Sequence, residues 1–449
     1  MKKNIDLAFK ISYLMLTLIS FNVLFARAWY VTYISYAVIA FGVVAGALRL
    51  FYIKDYLNAG IFLLMSLVFS YILGATTTFE YGYMDNLKAV IWMIVQYFLV
   101  FAFDKKENAD FERTVLFKVF LTYTGICAVI SLWMMATHWQ KYSMFEGIYR
   151  VQGGFIDNRL FGCYVDPNYG AIFALISIAI SVYYLSEHKS LKVFWKFLLT
   201  INIIFEFLYI CYSDSRTGIL AIFASSFVFV FLWMIKQKGF IKTVAIALVT
   251  SFVLVIAVYG VQKGTSAAKV KIAEITAAKS GASEEEIEAE KYLARVGRID
   301  EQIGEGTDVS NNRFAIWGNA IEMFKQHPVT GISYRNIREY AEKNIPDTYV
   351  GFESMHNAFF DVLVSQGIIG MTILVLFIAW VIYNLIRKYQ SLSDYKEFAF
   401  LMAIIAAIFV SMLTYSEVFY MNTGGAFLFW YVLGYLINSN WDSKKEVEA

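Results

Sequence analysis

Cysteine and proline are scarce in this chain, which has three of each among 449 residues. Cys127, Cys163 and Cys211 are an odd number and lack the spacing of metal ligands, which disfavours a disulfide framework and a cysteine-based metal site. We expect free thiols in or near apolar segments. The chain starts Met1-Lys2-Lys3 and runs into an apolar segment without a small-residue cleavage site, which predicts a retained first span.

Charged residues are also few, at 16% of the chain against 59% hydrophobic residues. Soluble domains have roughly 45–50% apolar and about 25% charged residues, so much of the surface of this protein must face lipid. The net charge of +2 gives no support to nucleic-acid binding. Apolar runs of bilayer length, too continuous for barrel strands, predict an all-α polytopic membrane protein of about twelve spans. The spans are placed at 8–26, 29–51, 56–76, 86–103, 115–138, 168–186, 193–212, 217–235, 240–261, 357–386, 398–416 and 420–438.

Lysine and arginine concentrate at alternate connections between these spans. The rich set lies at 2–10, 49–54, 105–118, 189–196, 236–242, 387–396 and 444–445, including Lys105, Lys106, Lys189, Lys444 and Lys445. The opposite short connections hold Arg27, Lys88, Lys141, Arg150, Arg159 and Arg216. The positive-inside rule therefore predicts both termini in the cytoplasm.

The long polar connection before the tenth span then lies outside the cytoplasm. Capping and breaker signals predict helices over Ser283–Ile303, from Asn311 or Asn312 through Phe324, and over about Ser333–Lys343. The predicted division is nine spans in 1–261, an extracytoplasmic helical loop domain in 262–356, and three spans with a cytoplasmic tail in 357–449.

Two polar clusters precede spans six and eight on the predicted outer side, where charged groups near the membrane are informative. The first holds Arg159, Asp166, Pro167 and Asn168. Asp166 and Pro167 suit a helix start, and this structural role explains them better than it explains Arg159 or Asn168. The second is the tight turn 213–218, in which Asp214 can neutralise Arg216. A polar turn explains the serines of this segment. It explains less well why an arginine lies on the side of the membrane where arginine is scarce.

The third cluster lies at the end of the long loop. It contains Asn312, Arg313 and Trp317, and then His356 and Asn357 where the tenth span begins. Arg313 falls in the first turn of its helix, where backbone N–H groups favour an anion. When each residue is considered alone, a structural role explains it better than a functional one. Arg313 would lie on a solvated helix face, and His356 would lie at the membrane interface.

Arginines and a histidine together on one side of the membrane suit the binding of a diphosphate and the activation of a hydroxyl. Arginine binds phosphate oxygens in bidentate fashion and stabilises the charge that grows on a leaving diphosphate. A largely neutral histidine accepts the hydroxyl proton. The chain has no Asp-x-Asp pair, the commonest metal motif of sugar transfer, which favours chemistry without a metal or other cofactor.

The order of these motifs resembles the O-antigen ligase and polymerase superfamily over about residues 150–380. The motifs are Asp166-Pro167-Asn168, Ser215-Arg216-Thr217-Gly218, Arg313 with Trp317, Pro328 and Gly331, His356-Asn357, and Gln366-Gly367-Ile368-Ile369-Gly370. Those proteins are bacterial inner-membrane glycosyltransferases that act on undecaprenyl-diphosphate-linked oligosaccharides. The insertion at 264–305 has no counterpart in the family that we can place.

The resemblance implies a metal-independent, inverting transfer of sugar from lipid diphosphate to an acceptor. It assigns diphosphate binding to Arg216 and Arg313, with Arg159 or Arg150 as a further arginine, and proton abstraction to His356. Asn168, Asn357, Asp214 and Trp317 are the expected supporting residues. A Wzy-type polymerase for capsule, exopolysaccharide or O-antigen is the favoured member, with an O-antigen ligase as the alternative and a chain-length regulator as a candidate partner.

A transporter, such as a flippase for the same lipid, is the alternative from another class. The two similar halves and central cytoplasmic loop of many transporters are missing, and we expect no span broken by glycine and proline, because all three prolines lie outside span interiors. Intramembrane Glu206 is the best transporter-like residue, and a hydrogen-bonded helix contact explains it better. A peptidoglycan polymerase of the shape, elongation and division family is a further alternative whose motifs are not seen.

Overall fold

The computed structural model describes residues 2–104, 109–145, 149–188, 190–297 and 312–439. Within these ranges the chain forms sixteen α-helices and one three-stranded sheet. The helices are α1 Lys2–Ser20, α2 Trp29–Leu50, α3 Ile53–Tyr56, α4 Ala59–Thr77, α5 Tyr83–Ile94, α6 Asp110–Ala136, α7 Pro167–Glu187, α8 Val193–Ser213, α9 Arg216–Lys238, α10 Phe240–Lys279, α11 Glu284–Ala294, α12 Arg313–Gln326, α13 Ile337–Asn344, α14 Ala358–Ser391, α15 Lys396–Met412 and α16 Gly424–Asn438. A π-helical segment, Val95–Phe101, continues α5.

Every predicted span coincides with a helix, and the all-α polytopic membrane class is confirmed. In the described ranges, nine helices are long and apolar enough to cross a membrane, counting α5 together with its π-helical extension. The other three predicted spans correspond to α1, which carries several charged residues, to α15 with 17 residues and to α16 with 15 residues.

The helix bundle has two ends. At the terminus end, where α1 begins and α16 ends, the Asn58 side chain bonds to Asn438 at 3.0 Å. At the loop end, which carries α11–α13, the Thr78 hydroxyl donates to the carbonyl of Ile332 at 2.8 Å. Basic residues of the predicted cytoplasmic set are paired with carboxylates at the terminus end, as buried charges require. These pairs are Lys10–Glu112, Arg49–Asp6 and Arg113–Glu397. Lys105, Lys106, Lys189, Lys444 and Lys445 lie outside the described residues.

A small antiparallel sheet, which the sequence analysis did not predict, joins α6 to α7. Its strands are β1 Gln140–Phe145, β2 Tyr149–Ile156 and β3 Arg159–Gly162, in the order β1-β2-β3. Asp157 and Asn158, both with positive φ, connect β2 to β3 as a two-residue hairpin turn. The hairpin places Arg159 at the start of β3, at the loop end of the bundle.

The long connection before α14 differs from the prediction at its beginning. Helix α10 has 40 residues and continues past residue 261, where the ninth span was predicted to end. The predicted capping box at Ser283 is present, with the Glu286 carboxylate accepting from the Ser283 N–H at 2.8 Å.

The prediction that α11 continues to Ile303 is wrong, because the helix ends at Ala294. Arg295 is extended, and the next N–H, from Val296, donates to the Ser266 hydroxyl of α10 at 3.0 Å instead of continuing the helix. Ile303 itself and Asn311 lie outside the described residues. Helix α12 matches its prediction. Helix α13 ends as predicted but begins at Ile337, because a 3-10 turn, Tyr334–Asn336, precedes it.

Helix α14 is broken at Gly367, where φ is 60° and ψ is −156°. The loop 328–333 supplies partners for the broken turn, since Ile368 N donates to Pro328 O at 2.8 Å and Ser333 N donates to Ser365 O at 2.9 Å. A Cβ at Gly367 would lie 2.7 Å from Pro328 O. A glycine with positive φ thus breaks this span without a proline in it, and backbone groups of the loop satisfy the freed positions. The sequence had excluded only a break by glycine and proline together, so this break was not predicted.

Candidate active site

Tyr415, in the loop between α15 and α16, is the residue around which several predicted site residues meet. Its hydroxyl accepts a hydrogen bond from the Asn168 side-chain amide and donates to Asp166 Oδ2 at 3.3 Å. Its ring centroid lies 6.0 Å from the His356 ring and 6.0 Å from the Arg313 guanidinium carbon. Residues from α7, α12 and the α14 start are thereby held against one tyrosine at the loop end.

Asn168 connects the first two sequence clusters. Its Nδ2 donates to Asp166 Oδ1 at 2.8 Å, and its Oδ1 accepts from the Ser215 hydroxyl at 2.7 Å. Asp166 caps α7, with Pro167 in the first turn, as the sequence predicted. Ser215 caps α9 by accepting from the Gly218 N–H at 2.9 Å. The two helix starts are therefore fixed to each other through Asn168.

Arg216 and Arg313 are brought to the same region from different helices. Arg216 is the first residue of α9 and its side chain is exposed. The following hydroxyl, Thr217 Oγ1, lies 3.1 Å from Thr414 Oγ1, and the backbone carbonyl of Thr414 accepts from Arg313 Nη2 at 3.3 Å. The first turns of α9 and α12 thus meet at residue 414, next to Tyr415.

Arg159 lies on the turn that precedes α9. Its Nε donates to the Ser213 carbonyl at 3.1 Å, and its Nη2 lies 3.4 Å from the Asp214 carbonyl. The Asp214 backbone is left-handed, with φ 47°, which presents its carbonyl at the turn. Arg150, the alternative to Arg159, is in β2 and pairs with Met144 of β1. Arg159 therefore contacts the turn that precedes Arg216.

His356 has a left-handed backbone, with φ 48°, and a half-buried side chain. The preceding residue, Met355, is held on both sides: its N–H donates to Asp361 Oδ1 at 2.8 Å and its carbonyl accepts from Trp317 Nε1 at 3.1 Å. The following residue, Asn357, caps α14 by accepting from backbone N–H groups of its first turn. These contacts fix the backbone from which the imidazole projects.

The electrostatic environment keeps His356 neutral. Burial lowers the pKa of His356, and the guanidinium of Arg313 lowers it further, while the carboxylate of Asp166 acts in the opposite direction. The pKa of the Tyr415 hydroxyl is raised above its ordinary value, first by burial and then by Asp166, while the cations Arg313 and Arg159 oppose this rise. An imidazole that is neutral near pH 7 can accept a proton from a bound hydroxyl.

Two further predicted residues, Asn357 and Trp317, contact other parts of the helix bundle. Asn357 Nδ2 donates to the Leu413 carbonyl at 3.1 Å and so connects α14 to the end of α15. The Trp317 ring stacks on Phe360 of α14, with centroids 5.5 Å apart. In the described residues, no three His, Cys, Asp or Glu side chains are grouped as metal ligands would be.

Tyr415 and Asp361 are the site residues that the sequence analysis missed. The polar run Thr414–Glu417, at the end of the predicted span 398–416, was the available signal for Tyr415. Asp361 gave no separate signal, because an acidic residue in the first turn of a helix is common for reasons of helix polarity alone.

Comparison with known proteins gives one match. Residues 201–375 match a family model described as O-antigen ligase. The matched segment contains Arg216, Arg313 and His356, whereas Asn168 and Tyr415 lie outside it. No curated protein and no solved structure matches the chain. The protein is therefore a polytopic membrane protein in which residues 201–375 match the O-antigen ligase family.

Proposed function

We propose that the protein is a glycosyltransferase that polymerises undecaprenyl-diphosphate-linked oligosaccharide repeat units into a surface polysaccharide. The observation that carries this proposal is the meeting of Arg313, Asp166 and His356 around Tyr415, beside the turn that holds Arg216. The matched family acts on lipid-linked glycans, which supports a substrate of this class. The loop end then faces the extracytoplasmic side of the bacterial inner membrane, and both termini are cytoplasmic.

The reaction is a single displacement at the anomeric carbon. The acceptor hydroxyl oxygen forms the new bond to this carbon as the bond to the lipid diphosphate breaks, so the configuration inverts. The electron pair of the broken bond leaves with the diphosphate. Arg216 and Arg313 stabilise the charge that develops there, and Arg159 adds a third guanidinium next to the Arg216 turn. No step requires a metal ion.

His356 accepts the proton that the acceptor hydroxyl loses. Its lowered pKa keeps the imidazole neutral before the reaction, which is the state a general base needs. The carboxylate of Asp166, which favours the charged form of His356, then stabilises the imidazolium as it appears. Trp317 and Asp361 are positioning residues, because they hold the backbone before His356 without facing the substrate.

An O-antigen ligase is the second candidate, because the matched family model is described by that activity. The same base and arginines would serve both reactions, since the donor lipid diphosphate is common to them. The two differ in the acceptor, which is a second lipid-linked glycan for the polymerase and a lipid A core for the ligase.

The test is a His356→Ala variant expressed in the source cells. A polymerase variant should accumulate single lipid-linked repeats and make no polymer, whereas a ligase variant should accumulate finished polymer that stays on its lipid carrier. The matched control is His188→Ala, at the terminus end next to α7, which should make normal polymer. Normal polymer in the His356→Ala cells would refute the assignment of the base.

Arg216→Lys tests the diphosphate contact. It replaces a planar, bidentate group with a point charge, so polymer formation should fall severely. Arg387→Lys makes the same change on an exposed residue at the terminus end and should be silent. Equal activity in the two variants would make Arg216 a structural residue of the turn.

A further inference from the structure

A cavity opens at the loop end, between the ends of α1 and α5, helix α13 and the loop before α16. Its volume is about 660 Å³. It is separate from the Tyr415 cluster but connected to it by aromatic contacts. Phe21, which lines the cavity, packs on Tyr169 at 5.1 Å between ring centroids, and Tyr169 packs on Tyr415 at 5.1 Å. The wall of the cavity is therefore connected to His356 by three consecutive ring contacts, from Phe21 through Tyr169 and Tyr415.

The lining of this cavity combines aromatic rings with planar charged groups. Its aromatic members include Phe21, Trp92 and Tyr334, and its charged members are Asp85, Arg335, Arg338, Glu339, Glu342 and Glu353. The apolar face of a sugar ring packs on an aromatic side chain, while its neighbouring hydroxyls pair with the two atoms of a carboxylate or guanidinium. This mixture suits a carbohydrate better than a lipid chain.

The inner wall of the cavity is rigid where Asn422 and Trp92 line it. Asn422 Oδ1 accepts from the Tyr13 hydroxyl at 3.0 Å and from Gln96 Nε2 at 3.2 Å, and both donors are fully buried. Within the described residues the Asn422 amide nitrogen donates to no protein group, so it is the donor that remains for a ligand. The Trp92 ring stacks on Tyr13 at 5.3 Å with an interplanar angle of 11°. A preformed donor and a fixed ring reduce the ordering cost of binding.

The charge of the lining is unbalanced towards acid. Four carboxylates face the cavity against two arginines. Asp85 is paired with Lys88 at 2.9 Å, and Arg338 bonds to Glu342 at 2.9 Å and to Glu353 at 3.4 Å, which leaves one negative charge in excess. Like charges brought together are repelled. An acidic sugar such as a uronate is therefore disfavoured, whereas a neutral or amino sugar is accepted.

We propose that this cavity binds the acceptor oligosaccharide and selects neutral and amino sugars over acidic ones. The role of this glycan as acceptor rests on the proposed function, because it assumes that the bound chain presents its terminal hydroxyl to His356. The binding of the glycan itself does not depend on any reaction.

The experiment measures binding without turnover. Partial acid hydrolysis of the surface polysaccharide of the source cells provides lipid-free oligosaccharides, and saturation-transfer NMR with the purified full-length protein detects those that bind. Asn422→Asp keeps an oxygen that accepts from Tyr13 and Gln96 but removes the amide donor. It should weaken binding roughly 3- to 10-fold, as expected for one lost hydrogen bond.

Asn344→Asp is the matched control, since Asn344 is exposed at the end of α13 and outside the lining of the cavity. It should bind oligosaccharide like the wild type. Glu339→Gln, at an exposed lining position, is a second variant that avoids any folding defect of Asn422→Asp, and it should increase the binding of acidic oligosaccharides relative to neutral ones.

The outcomes separate this inference from the proposed function. Weaker binding by Asn422→Asp supports the glycan cavity, even if His356→Ala cells make normal polymer and the proposed function fails. Wild-type binding by Asn422→Asp, with Glu339→Gln also unchanged, overturns the cavity even if His356→Ala abolishes polymer. Acidic oligosaccharides that bind the wild type as tightly as neutral ones overturn the selectivity.

Discussion

Removal of one hydroxyl, by Tyr415→Phe, tests whether Tyr415 organises the active site. The variant keeps the ring contacts to His356 and Arg313 and loses two hydrogen bonds, one from Asn168 and one to Asp166. A hydrogen bond to a charged group contributes about 1.5–3 kcal/mol and a neutral one about 0.5–1.5 kcal/mol. The bond to Asp166 is long, at 3.3 Å, so the lower value applies to it.

The lost free energy is therefore roughly 2–3 kcal/mol, and about 1.4 kcal/mol corresponds to a factor of ten in rate. We expect kcat/KM for polymer formation to fall roughly 30- to 100-fold. Tyr415→Leu also loses the cation–π contact with Arg313, which contributes about 0.5–2 kcal/mol, so it should be slower still.

The assay is the initial rate of polymer formation by purified protein from lipid-linked repeats, normalised to the folded fraction. Tyr383→Phe, an exposed tyrosine at the terminus end, is the matched control and should retain the wild-type rate. If Tyr415→Phe is as fast as this control, the hydroxyl does not organise the site. If Tyr415→Leu is also as fast, the ring contacts are irrelevant to the reaction.

Three more predictions concern protonation, the helix break and metal ions. Because the pKa of His356 is lowered, the acid limb of the pH–rate profile should lie below the ordinary histidine range. Arg313→Gln should raise the pKa of His356 and move the acid limb to higher pH. Asp166→Asn should lower the pKa of His356 and move the acid limb to lower pH. Equal limbs in the two variants would contradict the base assignment. Gly367→Ala should prevent folding, because its Cβ would meet a carbonyl oxygen at 2.4 Å. Size-exclusion chromatography and thermal melting measure this. Gly239→Ala, with φ 75° but open space among the described residues, should lower the free energy of unfolding by only about 1–2 kcal/mol. EDTA should leave the rate unchanged, and a loss restored by magnesium or manganese would refute the metal-independent reaction.

The helices were predictable because lipid leaves the backbone no alternative to them. Apolar length alone located α2, α4 and α6–α9 to within a few residues. It could not locate the end of α10, because a polar helix that leaves the bilayer keeps the same backbone pattern as the span it continues. The sheet between α6 and α7 was missed for a different reason: its short strands contain paired glycines and a two-residue turn, which read as a loop beside such long apolar runs.

The residues of the candidate site were only partly predictable, because only some of them carry groups that are costly to place near a membrane. An arginine or histidine near a membrane is expensive enough to be noticed in a sequence, so Arg216, Arg313 and His356 could be named. A tyrosine at the same depth is ordinary, because its ring suits the interface and its hydroxyl reaches water. The role of Tyr415 depends on its distances to four side chains from other segments, and such distances are set by packing rather than by any local pattern.

Backbone conformation adds evidence that the sequence could not contain. The helices that carry Arg216 and Arg313, and the helix that follows His356, each begin within two residues of a left-handed residue, which is Asp214, Asn312 or His356 itself. Aspartate and asparagine visit this region readily, whereas other side chains pay about 1–2 kcal/mol in steric strain. At His356 the surrounding hydrogen bonds of Met355 hold the strained backbone in place. Strain of this kind is retained where the direction of a side chain matters more than the stability it costs, and it therefore supports the proposal that His356 is the base.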